Sequence, residues 1–151
     1  MANSLNRELE GCEVILRRSD YPEDPKWNEE ANRTVLVVGG FGASAKSNGN
    51  ALFVRDRWGK SWRAEGYMVE WLVREVPADE RDITYIVTVM SDEGLESFEV
   101  EALTTSIANN KVIEMKGWKF LPRRIGNHDD TFVNVDGVEY AVSPKMKDAP
   151  E

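Results

Sequence analysis

The sequence predicts a mainly β chain (or an α+β one): an antiparallel β-barrel or sandwich of about eight strands with a short N-terminal helix. Three observations lead there. Apolar and polar residues alternate with period two through short segments such as 83–90 and 131–142. Turn-forming residues break these segments at intervals of roughly a dozen residues. Strand patterns also follow one another without helical patterns between them, which argues against alternating β and α units.

Taken in order, residues 4–10 suit a turn or two of helix: Ser4 can cap it, Leu5 and Leu9 lie four apart, and Gly11 can end it. Segment 1–11 is therefore helical or frayed. Residues 13–18 read as a first strand. Residues 19–33 hold Pro22, Pro25 and five carboxylates without periodicity, and read as a long surface loop. Trp27 inside it either tucks back onto the core or meets a partner. The β-branched run 34–38 reads as a buried strand. Asn48-Gly49 signals a tight turn before a strand over 51–57, with Leu52 and Val54 on one face. Residues 62–74 read as one longer strand bent at Gly66, with Tyr67, Val69 and Trp71 sharing a face.

An acidic break, 77–82, precedes a strand over 83–90 and a turn over 91–94. Phe98, Val100 and Ala102 alternate with Ser97, Glu99 and Glu101, which favours a returning strand. A helix through residue 108 is the competing reading, because Leu103 and Ile107 continue at a spacing of four. Asn109-Asn110 reads as a turn and 111–121 as a strand. Asp136-Gly137 between apolar runs calls for a two-residue hairpin. Residues 143–151 read as a flexible tail. All of this fits a single domain over 1–151.

The chain has 151 residues and a net charge of −8. That charge is segregated: 1–30 carry −4, 31–75 carry +3, 76–110 carry −7, and 111–151 are neutral. Overall acidity argues against a general nucleic-acid binder, which needs clustered Lys and Arg. No apolar run is long enough for a transmembrane helix, and the N-terminus lacks the basic-then-apolar order of a signal peptide. Cys12 is the sole cysteine and cannot form an internal disulfide, which points to the reducing cytoplasm.

Four constellations could carry chemistry. Gly40 to Ser47 follows an apolar strand and matches G-x-x-x-x-G-K-[ST], except that Ala45 replaces the second glycine. A phosphate loop needs a helix after it. Here an Asn-Gly turn and a β pattern follow, so a hairpin loop is expected. Gly40, Gly42, Ser44, Lys46 and Ser47 stand as an anion-contacting loop in the alternative reading. The second constellation pairs two basic-aromatic clusters as a binding face. One is Arg55, Arg57, Trp58, Lys60, Trp62 and Arg63; the other is Lys116, Trp118, Lys119, Arg123 and Arg124, with Phe120 beside them. The tryptophans could equally alternate into the core. Third, Asn127-His128-Asp129-Asp130 contains the lone histidine but no second His or Cys ligand, so a polar turn is expected and no metal. Fourth, residues 79–101 carry eight carboxylates against one arginine, a face that could complement a basic protein.

No catalytic signature or cofactor motif emerges. The expected function is a non-enzymatic cytoplasmic binding protein that engages another macromolecule, a protein, through loops and a charged face. An inhibitor or accessory role, of an immunity or anti-defence type, fits such a chain. The alternative is a nucleic-acid or nucleotide binder using the basic-aromatic clusters and the Gly-rich loop, and a small hydrolase ranks third. Open sheet edges would also allow a homo-oligomer.

Overall fold

The computed structural model describes residues 9–40, 51–118, 123–124 and 130–150; at Gly40, Arg123 and Arg124 it describes the backbone alone. The alternating segments sort into two antiparallel sheets, one in each of two compact units, residues 1–81 and 82–151.

In the first unit the strands are β1 (Cys12–Leu16), β2 (Thr34–Gly40), β3 (Ala51–Arg55), β4 (Ser61–Glu65) and β5 (Val69–Glu75), in the order β4-β3-β2-β1-β5. Period-two alternation puts Cys12, Val14 and Leu16 on one face of β1. Pairing then lines up Val14 with Val35, Val37 with Val54, and Leu52 with Ala64. These side chains form the core of the unit, with Tyr21, Trp62, Met68 and Val69 packed around it. Each fully buried Val or Leu stabilises by about 1.5–3 kcal/mol relative to exposure. Cys12 belongs to this core. Burial, then the nearby Glu75 carboxylate, pushes its thiol up, so it acts as packing rather than as a thiolate.

Strands β4 and β5 are consecutive in the chain yet form opposite edges of the sheet, joined only by the 3-10 turn Gly66–Met68. Edges of a flat five-stranded sheet lie about 19 Å apart, whereas the four residue steps from Glu65 to Val69 span at most about 14 Å. The sheet must therefore curl until its edges approach at that turn. Among the described residues no ladder joins β4 to β5, so the curled sheet stays open between them.

Arg81 closes one end of the unit. Its Nε donates to the Val76 carbonyl at 2.8 Å, and its own carbonyl accepts from Arg55 Nη1 at 2.5 Å. The guanidinium lies against Gly11, whose φ is +84°; a Cβ there would stand 2.4 Å from Arg81 Nη2. The left-handed backbone favours glycine at that position, and an added Cβ would also push the Arg81 guanidinium aside.

The second unit holds β6 (Ile83–Ser91), β7 (Gly94–Ala102), the helix α1 (Thr105–Met115), β8 (Arg123–Arg124), β9 (Thr131–Val135) and β10 (Val138–Met146), with strand order β7-β6-β10-β9-β8. Helix α1 covers one face, where Ala108, Val112 and Ile113 meet Tyr85, Val87, Val89, Val133 and Val142. Asp136 (φ 52°) and Gly137 (φ 85°) make the expected two-residue hairpin turn, with the Gly137 amide donating to Asn134 Oδ1 at 3.2 Å.

The mainly β, antiparallel expectation holds, and β7 takes the strand reading. Other expectations are corrected or fall outside the described residues. Neither sheet closes into a barrel among the described residues. The α-helix that is described lies at Thr105–Met115; the N-terminal helix falls largely outside the described residues. Asn109-Asn110 is helix interior rather than a turn, and residues 111–115 continue the helix rather than a strand. Thr104 caps α1 by accepting from the Ile107 amide at 3.3 Å. The buried stripe runs Thr105, Ala108, Asn109, Val112, Ile113, so an asparagine takes a core position and bonds Thr131 Oγ1 through Nδ2 at 3.0 Å. The single strand over 62–74 is two strands, with Tyr67 in the turn between them. Strand β10 runs on through Met146, past the point where the sequence suggests a tail, because β6 pairs with it there. No helix among the described residues is long and apolar enough to cross a membrane.

Replacing Gly11 by Ala is expected to lower stability by about 1–3 kcal/mol through backbone strain alone. Urea unfolding of this variant checks it. In an Arg81→Ala background the loss should be smaller, because the steric part disappears; an equal loss in both backgrounds would place the whole effect in the backbone.

Candidate functional site

The site is built by three pieces of the first unit: the long connection 17–33, the β3–β4 turn and Trp62 on β4. The connection is three 3-10 turns, Arg18–Asp20, Pro25–Asn28 and Glu30–Arg33. Asp24 starts the second by accepting from the Lys26 amide at 3.1 Å, with Pro25 preset behind it. Arg17 grips Asp20 through two bonds of 3.0 Å. Arg18 donates to Asn28 Oδ1 at 2.7 Å and to the Tyr21 carbonyl at 3.2 Å.

Two buried polar residues pin the connection from below. Arg33 donates through Nε to the Leu16 carbonyl at 3.0 Å and through Nη1 to the Trp27 carbonyl. Asn32 donates through Nδ2 to the Lys26 carbonyl at 2.7 Å and accepts from Arg57 Nη1 at 2.5 Å. The connection is thus fixed to β1 on one side and to the β3–β4 turn on the other.

That turn is organised by Asp56. Its Oδ1 accepts from the Trp58 amide at 2.9 Å and the Lys60 amide at 3.0 Å, and its Oδ2 from Trp62 Nε1 at 3.3 Å. Burial raises the Asp56 carboxyl above its usual range, while these hydrogen bonds pull the other way. Gly59 (φ 82°) supplies the left-handed residue the turn needs.

An aromatic cluster sits on this frame. Tyr21 stacks on Trp27 with centroids 4.6 Å apart, and Trp27 meets Trp58 edge-on at 5.9 Å. Lys26 Nζ lies 4.6 Å from the Trp27 ring centre and 5.9 Å from that of Trp58; the Arg57 guanidinium lies 5.7 Å from Trp58. The rings of Tyr21, Trp27 and Trp58 are half-buried, and Lys26 and Lys60 are exposed. Burial, then the Asp56 charge, pushes the Tyr21 phenol up to about 12.

Of the first basic-aromatic cluster, Arg57, Trp58, Lys60 and Trp62 gather around Asp56. Arg55 instead bonds the Arg81 carbonyl, and Arg63 lies 3.7 Å from Glu65 along β4. The second cluster belongs to the other unit. There Trp118 tilts against Tyr140 at 4.6 Å, and Lys116 pairs with Glu96 beside Phe98. Lys119 lies outside the described residues, and for Arg123 and Arg124 only the strand is described. In the Gly-rich loop, Gly40 ends β2, while Gly42, Ser44, Lys46 and Ser47 lie outside the described residues, as do His128 and Asp129.

The acidic run 79–101 does not present its strand glutamates together. On β7, Glu96 shares the helix side with Phe98, opposite Val89, whereas Glu99 and Glu101 point to the other face. Glu99 there pairs with Lys147. On that face a shallow hollow is lined by Met90, Phe132 and Ala141, with Asp92, Glu93 and Glu139 at its rim. No group of three metal-ligating side chains occurs among the described residues.

Sequence reasoning missed Tyr21, Lys26, Asn32 and Asp56 as parts of the site, and left Trp27 undecided. Asp56 had a readable signal: Asp followed by Trp-Gly-Lys suits a side chain that bonds amides two and four residues on. Arg33 and Asn32 had none, because polar residues before a strand carry no periodicity.

Because the folded-state value of Tyr21 exceeds the ordinary value of about 10, its contribution to stability is complete below about pH 10. That contribution is lost as pH rises toward 12. An ultraviolet difference titration of the wild type against Tyr21→Phe should show a phenolate step near pH 12, with the fold followed by circular dichroism. A step near pH 10 would contradict the stacked burial. Comparison with protein-family models, with curated proteins and with solved structures found no match.

Proposed function

We propose that this chain is a non-enzymatic binding protein that engages a protein partner through the face formed by Tyr21, Lys26, Trp27, Arg57 and Trp58. The observation that carries this reading is the placement of Trp58. Its indole is held half-buried at a turn tip, against Trp27 and beside two cations, away from the strand positions that fill the core. Trp, Tyr and Arg in such pockets are the residues that dominate protein–protein binding energy. The frame beneath them is fixed by side-chain bonds to main-chain carbonyls, so little ordering entropy is lost on association. An inhibitor or accessory role in the cytoplasm suits this design and the lone, buried Cys12.

Single-stranded nucleic acid is the second reading, favoured by the Lys26 ammonium beside two indoles, since cations and aromatic faces together also hold stacked bases. Against it stand Asp20, Glu23, Asp24, Glu29 and Glu30 on the same connection, which repel phosphates.

Trp58→Ala should weaken partner binding by about thirtyfold or more, a loss of about 2 kcal/mol, with the circular dichroism spectrum unchanged. The measurement is affinity capture from the native host, with the captured protein then titrated against wild type and variant. Undiminished binding by Trp58→Ala would refute the site. Salt-sensitive binding of a labelled single strand, abolished by the same substitution, would replace the protein partner with nucleic acid.

A further inference from the structure

The face of the second sheet turned away from helix α1 carries a row of apolar side chains. The ladders joining β7 to β6, β6 to β10 and β10 to β9 run without a register shift. They set Leu95 opposite Met90, Met90 opposite Ala141, and Ala141 opposite Phe132. The chain neighbours Val89, Val142 and Val133 belong to the core beneath α1, so alternation puts this row on the other face. Leu95 is 63% and Met90 46% exposed, while Ala141 and Phe132 are half-buried. Met90, Ala141 and Phe132 floor a hollow of about 650 Å³. That volume is ample for an anchoring side chain of a partner.

The charges select what enters. Two turns bound the hollow: Asp92 and Glu93 lie in the β6–β7 turn, and Glu139 just past the Asp136-Gly137 turn. Elsewhere on β7, carboxylates are neutralised within the unit, Glu96 by Lys116 and Glu99 by Lys147. Among the described residues no cation pairs with Asp92, Glu93 or Glu139, and none lines the hollow. The basic register positions stand outside it. Lys145 is opposite Ile86, four residues beyond Ala141 along β10, and Arg123 on β8 is opposite Phe132, at the end of the row. Such a rim repels phosphates, which disfavours nucleic acid and anionic lipid. A second copy docked by the same face would bring like carboxylates together. A segment with an apolar side chain for the floor and a Lys or Arg beside it for the rim satisfies both features.

We propose that this hollow docks a basic segment of a partner protein, anchored by an apolar side chain on Met90, Ala141 and Phe132. The contact uses no residue of the aromatic face, so Trp58→Ala should leave it unchanged, and the two sites fail or stand separately.

The test follows the Met90 methyl signal by NMR, assigned by its loss in Met90→Leu, as a capped peptide Gly-Lys-Leu-Phe-Lys-Gly is added. The Met90 signal should shift and saturate, and the counterpart peptide with Glu in place of Lys should leave it unmoved. The charge reversals Asp92→Lys with Glu93→Lys, and separately Glu139→Lys, should each raise the half-saturating concentration about fivefold or more, with the circular dichroism spectrum unchanged. A Met90 signal unmoved at millimolar Lys peptide would overturn the proposal. So would equal binding of the Glu peptide, or reversals that bind as well as the wild type. A Met90 shift that grows with protein concentration in the absence of peptide would give the face to a second copy instead and overturn it too.

Discussion

A guanidinium taken out of water has to find acceptors for its N–H groups, and in the first unit this requirement shapes everything around the site. Arg33 ends a connection that has no apolar periodicity and so could not fold back by hydrophobic burial alone. It folds back because Arg33 carries its donors to the carbonyls of Leu16 and Trp27, one on a core strand and one in mid-connection. Leaving such carbonyls unpaired would cost about 1–3 kcal/mol each. Asn32, the adjacent residue, repeats the device on the Lys26 carbonyl and adds a bond from Arg57. A segment that would otherwise sample many conformations becomes a fixed support for Trp27 and Tyr21.

Strand β1 transmits this order. Its core face joins Val14 to Val35, and its far end carries Arg17, whose amide bonds the Met68 carbonyl at 2.8 Å. That bond holds the 3-10 turn by which the chain passes from β4 to β5. The strand that anchors the aromatic site therefore also sets the position of the exposed β5 edge. The two register irregularities between β1 and β5 increase the local twist, which helps a five-stranded sheet curl enough for so short a connection.

Strands were legible where one face is buried and the other wet, because period two is then written in the residues: 83–91 and the Asp136-Gly137 hairpin are examples. Helix α1 was not, for a physical reason. Its buried stripe includes Thr105 and Asn109, so one of the two asparagines that suggested a turn is packed inside. The split of 62–74 was hidden because Gly66 is compatible with a bend in one strand as well as with a turn between two; only the pairing partners decide. In the site, Trp58 and Arg57 were legible from composition. Their neighbours were not, since Tyr21 and Trp27 reach them through contacts between residues some thirty positions apart in sequence.

The charge pattern needs the same care. Residues 31–75 carry +3, which suggested a basic groove. Several of those cations act inside the unit: Arg55 bonds the Arg81 carbonyl, Arg74 reaches toward Glu13, and Arg33 is buried. What stays at the surface near the aromatic rings is Lys26, contributed by the net-acidic quarter, together with Lys60 and the edge of Arg57. Net charge counts a buried guanidinium and an exposed ammonium alike, whereas a partner meets only the second. The face that can bind is therefore set by which cations the fold has left uncommitted, and the polar contacts beneath Trp27 and Trp58 determine that.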